Sequence, residues 1–259
     1  MAADLLKLAT VAPKPARECT RKDTAMSLSD SLPNSDLSRR IKAISCVFEV
    51  GSPDPDYGYV ENLDDGRGFT ITQYGFTTYN TEVADVIGRI LESEPDSPLK
   101  SFLPKLPPQD WEGKNLGDFA RAWKSAAKGS RALPQACDAV ADTLYLAPAI
   151  AAAKSVGVSS PAGIAIFYDT LVQHGDGDDP DSLKAIMKST QAAPEAEYLK
   201  AFLDARKRVL LHSSDKETRE VWRESAGRVD ALRALFERNP NLTPPINVGD
   251  GDGETFAIA

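Results

Sequence analysis

The sequence predicts a mainly α-helical protein, an α+β fold with one small antiparallel β-sheet inserted early in the chain. Apolar residues recur at helical spacing in most stretches after residue 36, and glycine or proline separates these stretches. One segment, FTITQYGFTTY at residues 69–79, is instead rich in Thr, Tyr, Phe and Ile, as short β-hairpins are. The 259 residues suffice for one large domain or for two closely packed lobes.

The first part of the chain combines both patterns. Residues 1–35 are rich in Ala, Pro, Ser, Thr and charge, and we expect them to form a flexible N-terminal arm. A helix is predicted to follow, and Glu49 falls in its last turn. The proline and glycine residues of 51–68 predict a loop before the hairpin, and helical spacing returns in EVADVIGRILES, residues 82–93.

The second part is predicted to be almost entirely helical. A proline-dense connection at 94–115 leads into it, and the helical stretches then cover residues 116–129, 132–157, 160–175, 181–190, 196–214 and 218–239. We expect residues 36–248 to form a single domain of two lobes, with a small β-containing lobe at about 50–95. Residues 249–259 are expected to be a C-terminal tail.

Composition and charge exclude several classes of function. A net charge of −8 disfavours a general nucleic-acid binder, and it suits either a cationic partner or simple solubility. No apolar run is long enough to predict a membrane helix. The short apolar stretch at the start is interrupted by Lys7 and is not a typical secretion signal. Cys19, Cys46 and Cys137 form no CxxC pair, so no zinc or redox site is predicted, and any disulfide among them is left open.

Carboxylates are the acid–base candidates that remain. The sequence lacks the motifs of serine hydrolases, zinc proteases and nucleotide-binding proteins, and neither of its two histidines has a triad partner nearby. Glu49 ends an apolar helix, where partial desolvation favours the protonated form that a general acid needs. The alternative is a solvated glutamate at a helix end.

A second acid lies on a glycine-flanked turn, DDGRG. Arg67 in that turn can keep a neighbouring carboxylate ionised, as a general base requires, although an Asp-Gly turn that opens the hairpin is an equally simple explanation. Spacing alone does not choose between Asp64 and Asp65. Two acids in contrasting settings match the two-carboxylate mechanism of glycoside hydrolysis.

Short blocks along the chain point to one family. FE at 48–49, YGYVENLDDGRGFT at 57–70 and YGF at 74–76 are followed in order by DFARAWKSAA, LYLAPAIAAAK, IFYDTLVQHG, YLKAFLDARK, RVDALRALF and NLTPP. Over roughly residues 38–248 the sequence resembles the chitosanases of glycoside hydrolase family 46. The resemblance implies a secreted, two-lobed, lysozyme-like fold with a cleft between the lobes. It also implies internal cleavage of β-1,4-linked glucosamine polymer with inversion at the anomeric carbon.

The resemblance implies roles for the two acids and their neighbours. Glu49 corresponds to the general acid, and Asp65, rather than Asp64, corresponds to the general base that activates water. Thr70 corresponds to a threonine that helps to hold this water, and Arg67 to an arginine near the catalytic centre.

Substrate-binding residues are implied in the same way. Tyr59 corresponds to a tyrosine that contacts sugar, and His174 and Gly175 to an HG pair along the cleft. Glu82 stands where the family usually has an aspartate that binds a glucosamine amine, so the charge is kept on a longer side chain.

A buried charge network behind the acid is also implied. Asp169, Arg206 and Arg228 correspond to its members, and such a network would tune the general acid. The alternative is that these are separate charges on helix surfaces.

The expected substrate is chitosan, with its glucosamine oligosaccharides, and no cofactor, metal, nucleic acid or membrane is expected to take part. We expect an extracellular monomer, since a long polymer needs an open cleft. Two other functions remain open: hydrolysis of another amino-sugar polymer, such as peptidoglycan or partly acetylated chitin, and non-catalytic polysaccharide binding.

Overall fold

Most of the residues that the computed structural model describes are helical, and the predicted mainly α fold with a small antiparallel sheet is confirmed. The described residues are 35–64, 66–108, 116–213 and 216–259. The predicted N-terminal arm lies outside them, apart from its last residue. Contacts divide the described chain into two compact units, one formed by residues 35–54 and 145–259 and the other by residues 55–144.

The first unit is helical except for a C-terminal hairpin. Its elements are α1 (Ser35–Val50), α5 (Ala147–Ser155), α6 (Pro161–His174), α7 (Leu183–Lys188), α8 (Glu195–His212), α9 (Lys216–Glu224), α10 (Ala226–Arg238), β4 (Ile246–Gly249) and β5 (Thr255–Ile258). Helix α6 is buried almost along its whole length, and α1, α5, α7 and α10 pack against it. Any polar side chain on α6 is therefore removed from water and needs a partner inside the protein.

The second unit holds the three-stranded sheet. Its elements are β1 (Val60–Asn62), β2 (Phe69–Ile71), β3 (Phe76–Thr77), α2 (Glu82–Ser93), a 3₁₀ helix (Pro98–Lys105), α3 (Phe119–Gly129) and α4 (Ala132–Ala141). The unit continues to residue 144, beyond the end expected near 95, because α3 packs on β1 and α4 packs on α2. Helical structure continues from α4 through a π-helical turn, Asp142–Leu146, into α5.

Strand register separates the sheet into an apolar and a polar face. All strand pairs are antiparallel, and one row of facing residues is apolar and buried: Val60, Ile71 and Phe76. The adjacent row is polar: Glu61, Thr70 and Thr77. Since side chains alternate between the two faces of a strand, this second row points away from the apolar core of the sheet.

The chain ends in a β-hairpin where the sequence predicts a tail. The Asp250 side chain accepts hydrogen bonds from the backbone N–H groups of residues 252, 253 and 254, at 2.8–3.0 Å, and so orders the turn between β4 and β5. The hairpin also approaches α10 closely. A Cβ atom on Gly227 would lie only 2.5 Å from the Gly251 carbonyl oxygen.

Two further expectations concern membranes and cysteines. In the described part of the chain one helical stretch, Ala132–Ser155, is long and apolar enough to cross a membrane. Half of its most apolar part is buried inside the protein, and core helices of soluble proteins are often as long and as apolar. Cys46 and Cys137 are free and buried, while Cys19 lies outside the described residues. Burial, with a smaller effect from Asp138, raises the pKa of the Cys137 thiol.

Candidate active site

Glu49 lies in the last turn of α1 and is almost completely buried, with 4% of its surface exposed. Its Oε1 atom accepts a hydrogen bond of 2.7 Å from Nη1 of Arg228, which comes from α10. The Arg228 guanidinium also lies over the ring of Phe48, 4.9 Å from its centroid. An arginine held on both sides in this way fixes the orientation of the Glu49 carboxyl group.

Asp169, on the buried helix α6, is the centre of the network around Glu49. It accepts hydrogen bonds from Arg228 at 2.6–3.1 Å, from Nη2 of Arg206 at 2.8 Å and from the Ser45 hydroxyl at 2.6 Å. Burial alone would raise the pKa of Asp169, but the charges of Arg228 and Arg206 outweigh it and lower this pKa to about 2. Asp169 is therefore an anion at neutral and mildly acidic pH.

Arg206 connects this centre to two more residues of α6. Its Nη2 atom donates to Oε1 of the Gln173 side chain at 2.6 Å, and its Nε atom donates to Nε2 of His174 at 3.3 Å. Nε2 must then be unprotonated, so Nδ1 carries the proton and donates it to the Asp181 carbonyl oxygen at 2.8 Å. Burial and the charge of Arg206 lower the pKa of His174 well below its ordinary value, so the ring is neutral.

The four charged groups of the network balance when Glu49 is ionised. Glu49 and Asp169 supply two negative charges, and Arg206 and Arg228 supply two positive ones. Burial lowers the pKa of Arg206 to about 10, whereas the two carboxylates overcome burial at Arg228 and raise its pKa. Both arginines remain cations at neutral pH, so protonation of Glu49 leaves the network with one net positive charge.

Two partners in this network are absent from the sequence-based prediction, Ser45 and Gln173. Each lies four residues from a predicted member on the same helix: Ser45 precedes Glu49 in α1, and Gln173 follows Asp169 in α6. Residues at this spacing share a helix face, which is the signal that would identify them. The amide of Gln173 also donates to the Ser225 hydroxyl at 2.9 Å.

The remaining predicted residues belong to the second unit. Thr70 is buried in the middle strand, β2, with Glu61 and Thr77 as its register neighbours. The Tyr59 hydroxyl donates to Oε2 of Glu61 at 2.8 Å, and burial together with this bond to a carboxylate raises the pKa of Tyr59. Tyr59 is thus held by the polar row of the sheet.

The turn that carries the second acid is described only in part. Asp65 lies outside the described residues. Asp64 is exposed and has a positive φ of 55°, and its N–H donates to the Asn62 side chain at 3.0 Å. The Arg67 carbonyl oxygen is 3.5 Å from the Thr78 hydroxyl, which donates to it.

Two predicted sugar-binding positions lie at helix ends. Glu82 is the first residue of α2, and Oε1 of its carboxyl group accepts a 3.3 Å bond from the Asn80 amide. Gly175 ends α6 with a positive φ of 69°, and its N–H donates to the Leu171 carbonyl oxygen. No cluster of three or more potential metal ligands occurs in the described ranges.

Comparison with known proteins identifies the relatives of this chain. A model of glycosyl hydrolase family 46 matches residues 43–246. A chitosanase of Bacillus subtilis (strain 168) is 38% identical over 239 residues, which cover 87% of this chain and 86% of the relative. A chitosanase of Streptomyces sp. (strain N174) is 30% identical over 239 residues, which cover 87% of this chain and 78% of the relative.

Solved structures show the same similarity. The native chitosanase of Bacillus subtilis MY002 matches with a TM-score of 0.76 and 39% identity, over 87% of this chain and 99% of that one. A family 46 chitosanase of Gynuella sunshinyii, solved as a complex with chitotetraose, matches with a TM-score of 0.75 and 34% identity, over 87% of this chain and 98% of that one.

Proposed function

Since the chain belongs to glycosyl hydrolase family 46 and is a chitosanase, we propose that it cuts chitosan internally, with Glu49 as general acid and Asp65 as general base. The observation that carries this proposal is the buried pair of Glu49 and Arg228, joined at 2.7 Å and backed by Asp169. The bond to Arg228 gives the buried Glu49 carboxyl group a fixed orientation, as a proton donor needs.

The proton on the acid is expected to reside on Oε2. Arginine only donates hydrogen bonds, and its bond to Oε1 of Glu49 leaves the other oxygen to carry the proton. Transfer of this proton to the glycosidic oxygen breaks the O–H bond of Glu49 while the bond from the anomeric carbon to that oxygen breaks. The resulting carboxylate restores the neutral balance of two anions and two cations, which favours proton transfer.

The second half of the reaction is assigned to the other unit. Asp65 removes a proton from water, whose oxygen forms the new bond to the anomeric carbon on the face opposite the leaving group. Thr70 holds this water, and Arg67 keeps Asp65 ionised. Product then appears with inverted configuration, so cleavage of a β-linkage releases the α-anomer first.

Substrate binding follows from charge and from hydroxyl contacts. Chitosan carries many ammonium groups, and the net charge of −8 favours its approach. Tyr59 and Gly175 are proposed to contact sugar, and Glu82 to bind an amine. Both ring nitrogens of His174 are bonded inside the protein, so we assign this residue to holding Arg206 instead of to direct polar contact with sugar.

One set of variants tests the two acids. Glu49→Gln and Asp65→Asn should each lower the release of reducing ends from chitosan by at least about 100-fold, because general acid–base catalysis contributes about 10²–10⁴-fold. Both should still bind chitosan and unfold cooperatively. Near wild-type turnover by either variant would remove that residue from its role, and a β-anomer as first product by NMR would exclude inversion.

Separate experiments test the choice of substrate, catalysis itself, the oligomeric state and the location of the protein. Polymers graded by acetylation should be cut faster as free amines increase; the reverse order would indicate peptidoglycan or chitin as the substrate. Binding of chitosan without any product would indicate a non-catalytic protein. We also propose an extracellular monomer, since the polymer does not enter cells. Light scattering tests the monomer, and assay of culture medium against cell extract tests the location.

A further inference from the structure

Asp138, in the second half of α4, accepts hydrogen bonds from two tyrosine hydroxyls on a single oxygen atom. Its Oδ1 atom lies 3.0 Å from the Tyr57 hydroxyl oxygen and 2.5 Å from the Tyr74 hydroxyl oxygen, and both hydroxyls donate to it. Hydrogen bonds to an ionised carboxylate are shorter and roughly twice as strong as bonds between neutral groups. One carboxylate therefore holds two rings that come from separate segments of the chain.

The two tyrosines flank the same end of the β1–β2 pair. Tyr57 precedes β1 and Tyr74 follows β2, and because the strands are antiparallel, both positions lie at one end of the pair. The Thr72 N–H also donates to the Tyr59 carbonyl oxygen at 3.0 Å, which continues the backbone pairing towards that end. Asp138 thus closes the pair with a bridge of side chains.

Helix α3 holds the same segment through its backbone. Trp123 is fully buried, and its Nε1 atom donates to the Tyr57 carbonyl oxygen at 3.0 Å. A Cβ atom on Gly58 would lie 3.6 Å from the Cβ atom of Ala127, so the chain runs directly along α3 here. The segment 57–59 is therefore fixed by two helices, by α3 through its backbone and by α4 through the Tyr57 side chain.

Tyr59 is the residue on which this arrangement acts. Its side chain is only partly buried, and its hydroxyl donates to Oε2 of Glu61 at 2.8 Å. The ring consequently has two anchors, the Glu61 bond at its tip and the backbone of segment 57–59 at its base. Movement of that backbone displaces the ring even when the bond at the tip is kept.

We propose that Asp138 is a positioning residue for substrate binding that acts through Tyr59; this rests on the sugar contact proposed for Tyr59. By holding Tyr57 and Tyr74 together, the carboxylate fixes the backbone from which the Tyr59 ring projects. Without it, the ring occupies several positions, and binding of sugar must first order it. A binding group that is not ordered in advance gives a weaker affinity.

The variants Asp138→Ala and Asp138→Asn test this inference with glucosamine oligosaccharides of defined length. Alanine removes both bonds, so KM should rise about 5–20-fold while kcat changes less than about threefold. The effect on kcat is small because the network around Glu49 belongs to the other unit, and Thr70 is paired with strands on both sides. Asparagine keeps Oδ1 as an acceptor and should stay within about threefold of the wild-type KM.

The control is Gln135→Ala, at an exposed position of the same helix, which should leave both constants unchanged. An Asp138→Ala enzyme with wild-type KM overturns the inference, and so does an equal rise of KM with asparagine. Tyr57→Phe and Tyr74→Phe give a second test if Asp138→Ala does not fold, since each keeps its ring and removes one bond. Each should raise KM about 2–5-fold, and a wild-type KM in both overturns the inference.

A double-mutant cycle separates this inference from the proposed function. In a Tyr59→Ala background, Asp138→Ala should raise KM less than about twofold further, because the ring that it positions is absent. A full additional rise would show that Asp138 does not act through Tyr59, and it would overturn the inference alone. If Tyr59→Ala itself leaves KM unchanged, the sugar contact proposed for Tyr59 is wrong, and the inference is refuted with it.

Discussion

Acid should destabilise this protein through His174 at a pH where carboxylates are still ionised. The ring is buried and neutral, and its pKa lies well below the ordinary value of 6.5. In the unfolded chain the imidazole binds a proton near pH 6.5, so below that pH the unfolded state holds more protons than the folded state. The free energy of unfolding is therefore unaffected by His174 above pH 6.5, and it falls as the pH decreases below this value.

The magnitude follows from proton linkage. At about pH 5, protonation of the unfolded chain at one ordinary histidine lowers the free energy of unfolding by about 2 kcal/mol, if the folded ring stays neutral. His174→Gln removes this contribution. A glutamine amide still offers an acceptor to Arg206 and a donor to the Asp181 carbonyl oxygen, so it can replace both bonds without titrating.

Urea unfolding at about pH 7.5 and about pH 5 measures the effect. The loss of unfolding free energy between the two conditions should be about 2 kcal/mol larger in the wild type than in His174→Gln. The carboxylates change the unfolding free energy equally in both proteins, so their effect cancels in this comparison. His212→Gln, which removes the exposed second histidine, is the matched control and should behave as the wild type. Equal pH dependence of His174→Gln and the wild type would refute the neutral, buried state of His174.

Four other predictions concern stability. Asp169→Asn leaves two buried arginines with one anion and should cost about 3–5 kcal/mol in urea unfolding; a loss below about 1 kcal/mol would contradict it. Because the pKa of Asp169 is lowered from 3.8 to about 2, the ionised carboxylate contributes fully to the free energy of unfolding above pH 3.8. This contribution should be lost as the pH falls towards 2, and acid titrations followed by circular dichroism measure the loss. Gly227→Ala, whose Cβ would meet the Gly251 carbonyl, should lower stability by about 1–3 kcal/mol. Gly88 lies inside α2 with open space around it, so Gly88→Ala should raise stability by about 0.5–1 kcal/mol. Thermal melts of the two glycine variants, compared with the wild type, measure these opposite changes.

Helices could be predicted because their signal is local. The apolar spacing in α2 matches the residues that the structure buries, Val83, Val86, Ile87 and Ile90, and the same spacing identifies the other long helices. Strand β1 could not be predicted, since three residues, Val-Glu-Asn, between turn-forming segments have no usable periodicity. It exists through its pairing with β2, which is a contact between segments separated along the chain. The C-terminal hairpin depends in the same way on the approach of its turn to Gly227.

The candidate site shows the same division between local and long-range information. The charged members of the network followed from a family resemblance, because charge and order along the chain are visible in a sequence. Their arrangement was not visible: Glu49 and Arg228 are 179 residues apart, and only the fold brings their atoms within 2.7 Å. The sequence-based prediction includes Arg228 in the network behind Glu49, but it does not include the direct bond between Arg228 and the Glu49 carboxyl group.

The arginine changes how the acid is understood. A general acid must hold its proton before the reaction and release it during the reaction, and Arg228 favours only the second state. Asp169 accepts three hydrogen bonds from the same guanidinium, so Arg228 is shared between two carboxyl groups. The charges of Arg228 and Arg206 outweigh burial and hold the pKa of Asp169 at about 2, so Asp169 stays charged near neutral pH. With Glu49 as the general acid that we propose, the charge of the network therefore changes only at Glu49 during the reaction.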